Sequence, residues 1–263
     1  MKFLLGLFIL SGSYCSPLFA GDSASLFIPV ESARFLTTDN LGNAYLIRED
    51  NSLIRYNEQG DSTGFYSSVK LGKLSWVDVT NPLMILLLYP QLSSIVLLDN
   101  MLSPKSTLDL KPLGLHQITA AGLSADGGIW IYDENNGKLL KINEQLERVT
   151  ESNDLRQEIG FLPEVHSLVE YERKVYLCDP VNGLFIFDRN GVFLNKIELY
   201  GISRLQAVGN QFVWLQNNTL LRYDRQSFKT KRLELPYPDA VDARVGRDGL
   251  YILTPEGLFI QGR

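Results

Sequence analysis

The strongest constraint on what this chain can fold into is a short pattern that recurs six times. Each copy is an apolar run closed by Asp, Asn or another polar residue. The first three read Leu53-Ile54-Arg55-Tyr56-Asn57, Ile95-Val96-Leu97-Leu98-Asp99 and Leu139-Leu140-Lys141-Ile142-Asn143. The last three read Leu184-Phe185-Ile186-Phe187-Asp188, Leu220-Leu221-Arg222-Tyr223-Asp224 and Leu258-Phe259-Ile260-Gln261. The closing polar residues are 42, 44, 45, 36 and 37 residues apart. A unit of that size holding several short strands cannot bury its apolar face alone and must stack on neighbouring copies. The expected fold is all-β: a six-bladed β-propeller of four-stranded blades.

Turn chemistry supports this division. In the first repeat an inner strand at 35–38 is followed by Asp39-Asn40-Leu41-Gly42, where Gly supplies a positive φ and Asp or Asn tolerates it. Later second strands include Ile129-Trp130-Ile131-Tyr132, Val175-Tyr176-Leu177, Phe212-Val213-Trp214-Leu215 and Leu250-Tyr251-Ile252-Leu253. Most are flanked by Gly, Asn or Asp turns such as Asp126-Gly127-Gly128, Asn182-Gly183 and Arg247-Asp248-Gly249. The blades fall at about 31–69, 70–110, 113–150, 162–199, 201–235 and 236–263. The closing Asp and Asn residues are expected to bond the backbone two residues on and so start the turn to the outer strand.

The sixth repeat is one strand short, since only Gly262 and Arg263 follow Gln261. Residues 26–30 belong to no other blade, and Pro29 suits an outermost strand with one unpaired edge. The expectation is that this segment pairs beside residues 258–261 and closes the ring. The segment 150–163 breaks the rhythm and has room for a helical turn.

Residues 1–20 read as a signal peptide ahead of a single domain at 21–263. Lys2 precedes an apolar stretch at 3–10, too short to span a bilayer, and Leu18-Phe19-Ala20 before Gly21 is a cleavage site. Location is therefore expected to be secreted or periplasmic, with cleavage near Ala20. Lipid attachment at Cys15 is disfavoured by the bulky Tyr14 before it. Cleavage leaves Cys178 as the only cysteine, placed in an apolar strand as a small buried hydrophobe. Removing Lys2 takes the net charge from −5 to −6, which argues against nucleic acid and anionic membrane surfaces as partners. No segment of the mature chain is long enough to cross a membrane; the apolar run at 83–89 stops at Pro90 and suits a strand buried on both faces.

The stretch Asp39-Asn40-Leu41-Gly42-Asn43-Ala44-Tyr45-Leu46 resembles the D-x-x-G-N-x-Y-V core of NHL-type propellers. The segment from Leu71-Gly72-Lys73-Leu74-Ser75-Trp76-Val77-Asp78 through Asn81-Pro82-Leu83 to Leu98-Asp99-Asn100 is similar to a family of uncharacterised secreted bacterial propeller proteins. That resemblance runs along most of the mature chain. It implies six blades, a Gram-negative cell envelope or exterior, and no established activity.

Function is expected where the inner strands begin, around the mouth of the channel. The candidate binding residues there are Arg34, Trp76, Asp78, His116, His166, Arg204 and Asp242, with Gln117 and Asp239 nearby. Such groups either bind an anion, sugar or peptide end, or pair with one another and plug the channel. No catalytic residue and no metal ligand is assigned. His116 and His166 lack a metal-binding spacing. Six-bladed lactonases of the gluconolactonase type hold a divalent cation with Glu, Asn and Asp from different blades. The nearest positions here are Glu31, Asn81 and Asp242, without matching surroundings. Asp239 and Asp242, flanked by Pro238 and Arg244, read as a loop entry carrying surface charge. The expected function is a non-enzymatic scaffold for a protein partner or ligand of the cell envelope, with no cofactor. The alternative is a hydrolase or lactonase that uses a divalent cation at the channel mouth.

Overall fold

The computed structural model describes residues 25–262 apart from Asp248. The expected leader, with Cys15 and the Ala20 cleavage site, lies outside the described residues, as does Asp248 of the last inner turn.

Six four-stranded antiparallel sheets form the six blades. The first runs from an inner strand at Ala33–Thr38 through Ala44–Arg48 and Leu53–Tyr56 to an outer strand at Ser62–Tyr66. The outer strand ends three residues before the expected boundary at Val69, which is 95% exposed. The other inner strands are Trp76–Asp78, Ile118–Leu123, Ser167–Tyr171, Gln206–Val208 and Asp242–Val245. The one α-helix among the described residues, Leu155–Ile159, fills the irregular segment between the third and fourth blades and is capped by Asp154.

The blades adhere because alternate residues of a strand point to opposite faces. In the second strand of blade two, Leu86 and Leu88 pack toward blade three, whereas Ile85, Leu87 and Tyr89 pack toward blade one. This double burial explains the unbroken apolar run. Six apolar clusters, one per junction between blades, form a continuous ring.

The ring closes as expected. The sixth sheet is completed by Ser25–Pro29, which pairs with Gly257–Gly262 in the register Leu26 to Ile260 and Ile28 to Leu258. Ile28 and Val30 are buried in the junction with the first blade.

The recurring Asp and Asn residues are turn formers. Asp99 Oδ1 accepts from the amides of Met101 and Ser103, both at 2.8 Å. Asp188 Oδ1 accepts from Asn190 and Val192 at 2.8 and 2.9 Å. Asn57, Asn143 and Asp224 cap their turns in the same way. In the first four blades a register shift sits just before this turn, a bulge that increases local twist.

Candidate functional site

Each inner strand is the edge of its sheet, so its outward N–H and C=O groups need partners from elsewhere. Side chains of neighbouring blades supply them. Asp78 Oδ2 accepts from the Leu123 amide at 2.7 Å, joining blade two to blade three. Asp242 Oδ2 accepts from the Leu36 amide at 3.0 Å, joining blade six to blade one. Gln206 imitates a strand: its Nε2 donates to Val245 O at 2.7 Å and its Oε1 accepts from Val245 N at 2.9 Å.

Where the inner strands begin, the expected candidates separate into two groups. Arg204 pairs with Asp242 at 2.8 Å and lies 5.0 Å over the Phe35 ring, so one side chain ties together blades five, six and one. Phe35 in turn meets Trp76 edge to face at 5.5 Å. Arg34 donates to Asn51 Oδ1 at 3.1 Å and to the Leu74 carbonyl, and burial lowers its pKa. His116 and His166 do not join this group. Both are exposed, and His166 faces only Glu164 at 3.4 Å. Gln117 and Asp239 are also exposed.

The reading of Asp239 and Asp242 as a loop entry with surface charge is corrected for Asp242 and its flank Arg244. Both lie on the inner strand of blade six, 1% and 4% exposed. Asp242 Oδ1 accepts from the Ala243 amide at 2.9 Å and stands 3.4 Å from Arg244 Nη1. Arg244 donates from Nε to Leu36 O at 3.2 Å and from Nη1 to Ala243 O at 3.3 Å. Burial lowers the pKa of this guanidinium, and the neighbouring Arg204 adds to the effect.

The main cavity, about 970 Å³, lies toward the other ends of the inner strands. Its rim is formed by the six turns that lead from inner to second strands, represented by Asn40, Asn81, Ala125, Arg173, Gly209 and Arg247. Of the seven candidates, Trp76 and Asp78 line it. Thr37, Thr38, Glu170, Gln206 and Arg244 also line it and were not singled out from the sequence. The available signal was period two: Arg244 follows Asp242 by two residues and shares its face of the strand.

Four acids line the cavity, Asp39, Asp78, Glu170 and Glu172, and two of them bond the backbone of blade three. Asp78 is buried, and its Oδ1 accepts from Thr80 N at 2.8 Å. Burial raises its carboxyl pKa, and the nearby charge of Glu170 adds to the rise. Glu170 Oε2 accepts from Ser124 Oγ and Trp130 Nε1, each at 2.6 Å, and Oε1 accepts from Ala125 N at 3.2 Å. Gly122 lets Asp78 and Leu168 pack close against the strand; a Cβ there would stand 3.2 Å from Asp78 Oδ2 and 2.8 Å from Leu168.

The positions compared with the lactonase cation ligands do not converge. Glu31 precedes its inner strand, Asn81 follows its own and caps a turn to Leu83 N, and Asp242 is held by two arginines. Among the described residues, no group of three or more His, Cys, Asp or Glu is arranged to hold a metal ion. Cys178 is buried, and burial pushes its thiol up to about 12, as suits an inert core residue. Among the described residues, no helix is long and apolar enough to cross a membrane.

No protein-family model matches the chain, and no curated protein matches it in sequence. Solved structures share its fold. A catalytically inactive virginiamycin B lyase from Staphylococcus aureus, with quinupristin, superposes with a TM-score of 0.60 at 11% identity, over 92% of this chain and 88% of that one. The Pan2 WD40 domain from Neurospora crassa gives 0.56 at 12% identity, over 87% and 78%. A protein of unknown function from Bacteroides caccae gives 0.54 at 13%, over 76% and 78%. One of these neighbours is a lyase and another a WD40 domain, so the shared fold does not choose between catalysis and binding.

Proposed function

We propose that this protein is a secreted or periplasmic, NHL-like binding scaffold of the cell envelope, which engages a protein partner or ligand through the wide mouth of its channel. The observation that carries the reading is the cavity of about 970 Å³ framed by all six inner turns. Its size lies at the upper end of the ~300–1,000 Å³ typical of ligand sites. Two of the carboxylates that line it are each held by at least two hydrogen bonds, Asp78 from two backbone amides and Glu170 from Ser124, Trp130 and Ala125. Groups fixed in that way present a rigid surface, which favours recognition through low reorganisation.

The test is photocrosslinking in intact cells. A photoreactive residue at Asn40, on the cavity rim, is expected to give an adduct of defined mass. The same residue at His116, away from the cavity, is expected to give none. No adduct at Asn40, or the same adduct at both positions, overturns the reading.

A further inference from the structure

Arg244 stands across the cavity from Asp78 and Glu170; Asp39, Glu172, Arg173 and Arg247 also line it. Closure of six blades in sequence order sets blade three across the channel from blade six. On the blade-six side, Arg204 and Arg244 share the single carboxylate of Asp242. Two guanidiniums against one carboxylate leave this cluster with one positive charge in excess. Arg244 lines the cavity and is 4% exposed. Its Nε and Nη1 are bonded to Leu36 O and Ala243 O, and its Nη2 has no hydrogen-bond partner among the described residues.

Asp78 from blade two and Glu170 from blade four flank blade three and form the opposite wall. Each is close enough to blade three to bond its backbone, at Leu123 and Ala125. The charge of Glu170 is felt at Asp78. Neither carboxylate has a cationic partner among the described residues, and no ion pair links either to Arg244.

Buried charge is costly unless it is paired. Here two acids without a cationic partner face, across an accessible space, an ion-pair cluster with one guanidinium in excess. An anion would compensate the arginine side and be repelled by the acids; a cation would do the reverse. A ligand bearing both signs compensates both. We infer that the cavity binds a small peptide-class zwitterion, with its carboxylate on Arg244 and its ammonium on Asp78 and Glu170. A planar guanidinium suits a carboxylate through parallel N–H bonds, and an ammonium supplies three donors to acids whose oxygens still have lone pairs free. Val77, Leu123, Leu168 and Leu205 supply apolar lining between the poles. The volume favours a short peptide over a single amino acid. This inference rests on the cavity being a binding site, as proposed above.

The test is calorimetric titration of the folded protein with dialanine and trialanine, and with their N-acetylated and C-amidated forms. At least one free peptide is expected to bind saturably, and capping either end weakens binding by about tenfold or more, as loss of a charge-assisted bond should. In Glu170→Gln the free peptide loses about tenfold in affinity while the N-acetylated peptide is unaffected. Should Arg244→Gln fail to fold, the amidated peptide tests that pole alone. Equal binding of capped and free peptides overturns the zwitterion while leaving a binding cavity in place. No binding of either free peptide at about 10 mM, a Kd well above the ~1 mM that corresponds to 4.1 kcal/mol, also overturns it. Crosslinking at Asn40 then reports separately on whether the mouth engages a partner.

Discussion

Lys141 lies almost wholly inside the third blade, with its ammonium 5.0 Å from the Trp130 ring centre and 2.6 Å from Asp126 Oδ2. The hydrogen bond from Lys141 holds the Asp126 carboxyl down to about 2. A carboxyl with a folded pKa below its unfolded value, about 3.9, contributes stability that is present above that value and lost as pH falls through the folded pKa. Asp126→Asn is therefore expected to lower Tm at pH 7 by about 2–4 °C, the shift that ~1 kcal/mol gives in a chain of this size. The gap from the parent protein should close between about pH 4 and pH 2. Thermal melts across that range check it; a gap that stays constant in acid would refute the pairing. Single residues also set what could be read from sequence. The closing Asp and Asn residues were legible because their bonds reach only two to four residues along the chain. Arg244 was not, because a charged residue is ordinarily exposed and its partner, Leu36 O, is 208 residues away.

Among the elements, Ser25–Pro29 has the clearest consequence. It covers the free edge of Gly257–Gly262 and places Ile28 and Val30 in the junction between the last and first blades. Burial of two such side chains stabilises by about 1.5–3 kcal/mol each. Deleting residues 25–30 is expected to lower Tm by about 10 °C or more. The uncovered edge should also cause concentration-dependent association. Calorimetry and sedimentation measure both, and an unchanged Tm would mean that this strand does not hold the ring together. The strand was legible because a five-residue apolar segment had no blade of its own and the last repeat had a gap. Which end of the channel opens wide was not legible. It depends on how Arg204 crosses between three blades and how the six turns splay, and both are set by tertiary contact.

For the whole molecule, the signal-peptide reading fixes one mass. If processing occurs after Ala20, intact-mass measurement of protein recovered from the envelope should give a chain beginning at Gly21. A chain beginning at a lipid-modified Cys15 would replace secretion by anchoring, and an unprocessed chain would refute export. The six junction clusters form one uninterrupted ring, so the domain should unfold as a single cooperative unit. Ring closure also has a consequence in time. Ile28 emerges early in synthesis, yet its partner Leu258 comes near the end. Five blades can assemble locally while the first-made strand waits for the last-made one. Completion of the ring is thus postponed until the strands of the sixth sheet have been made.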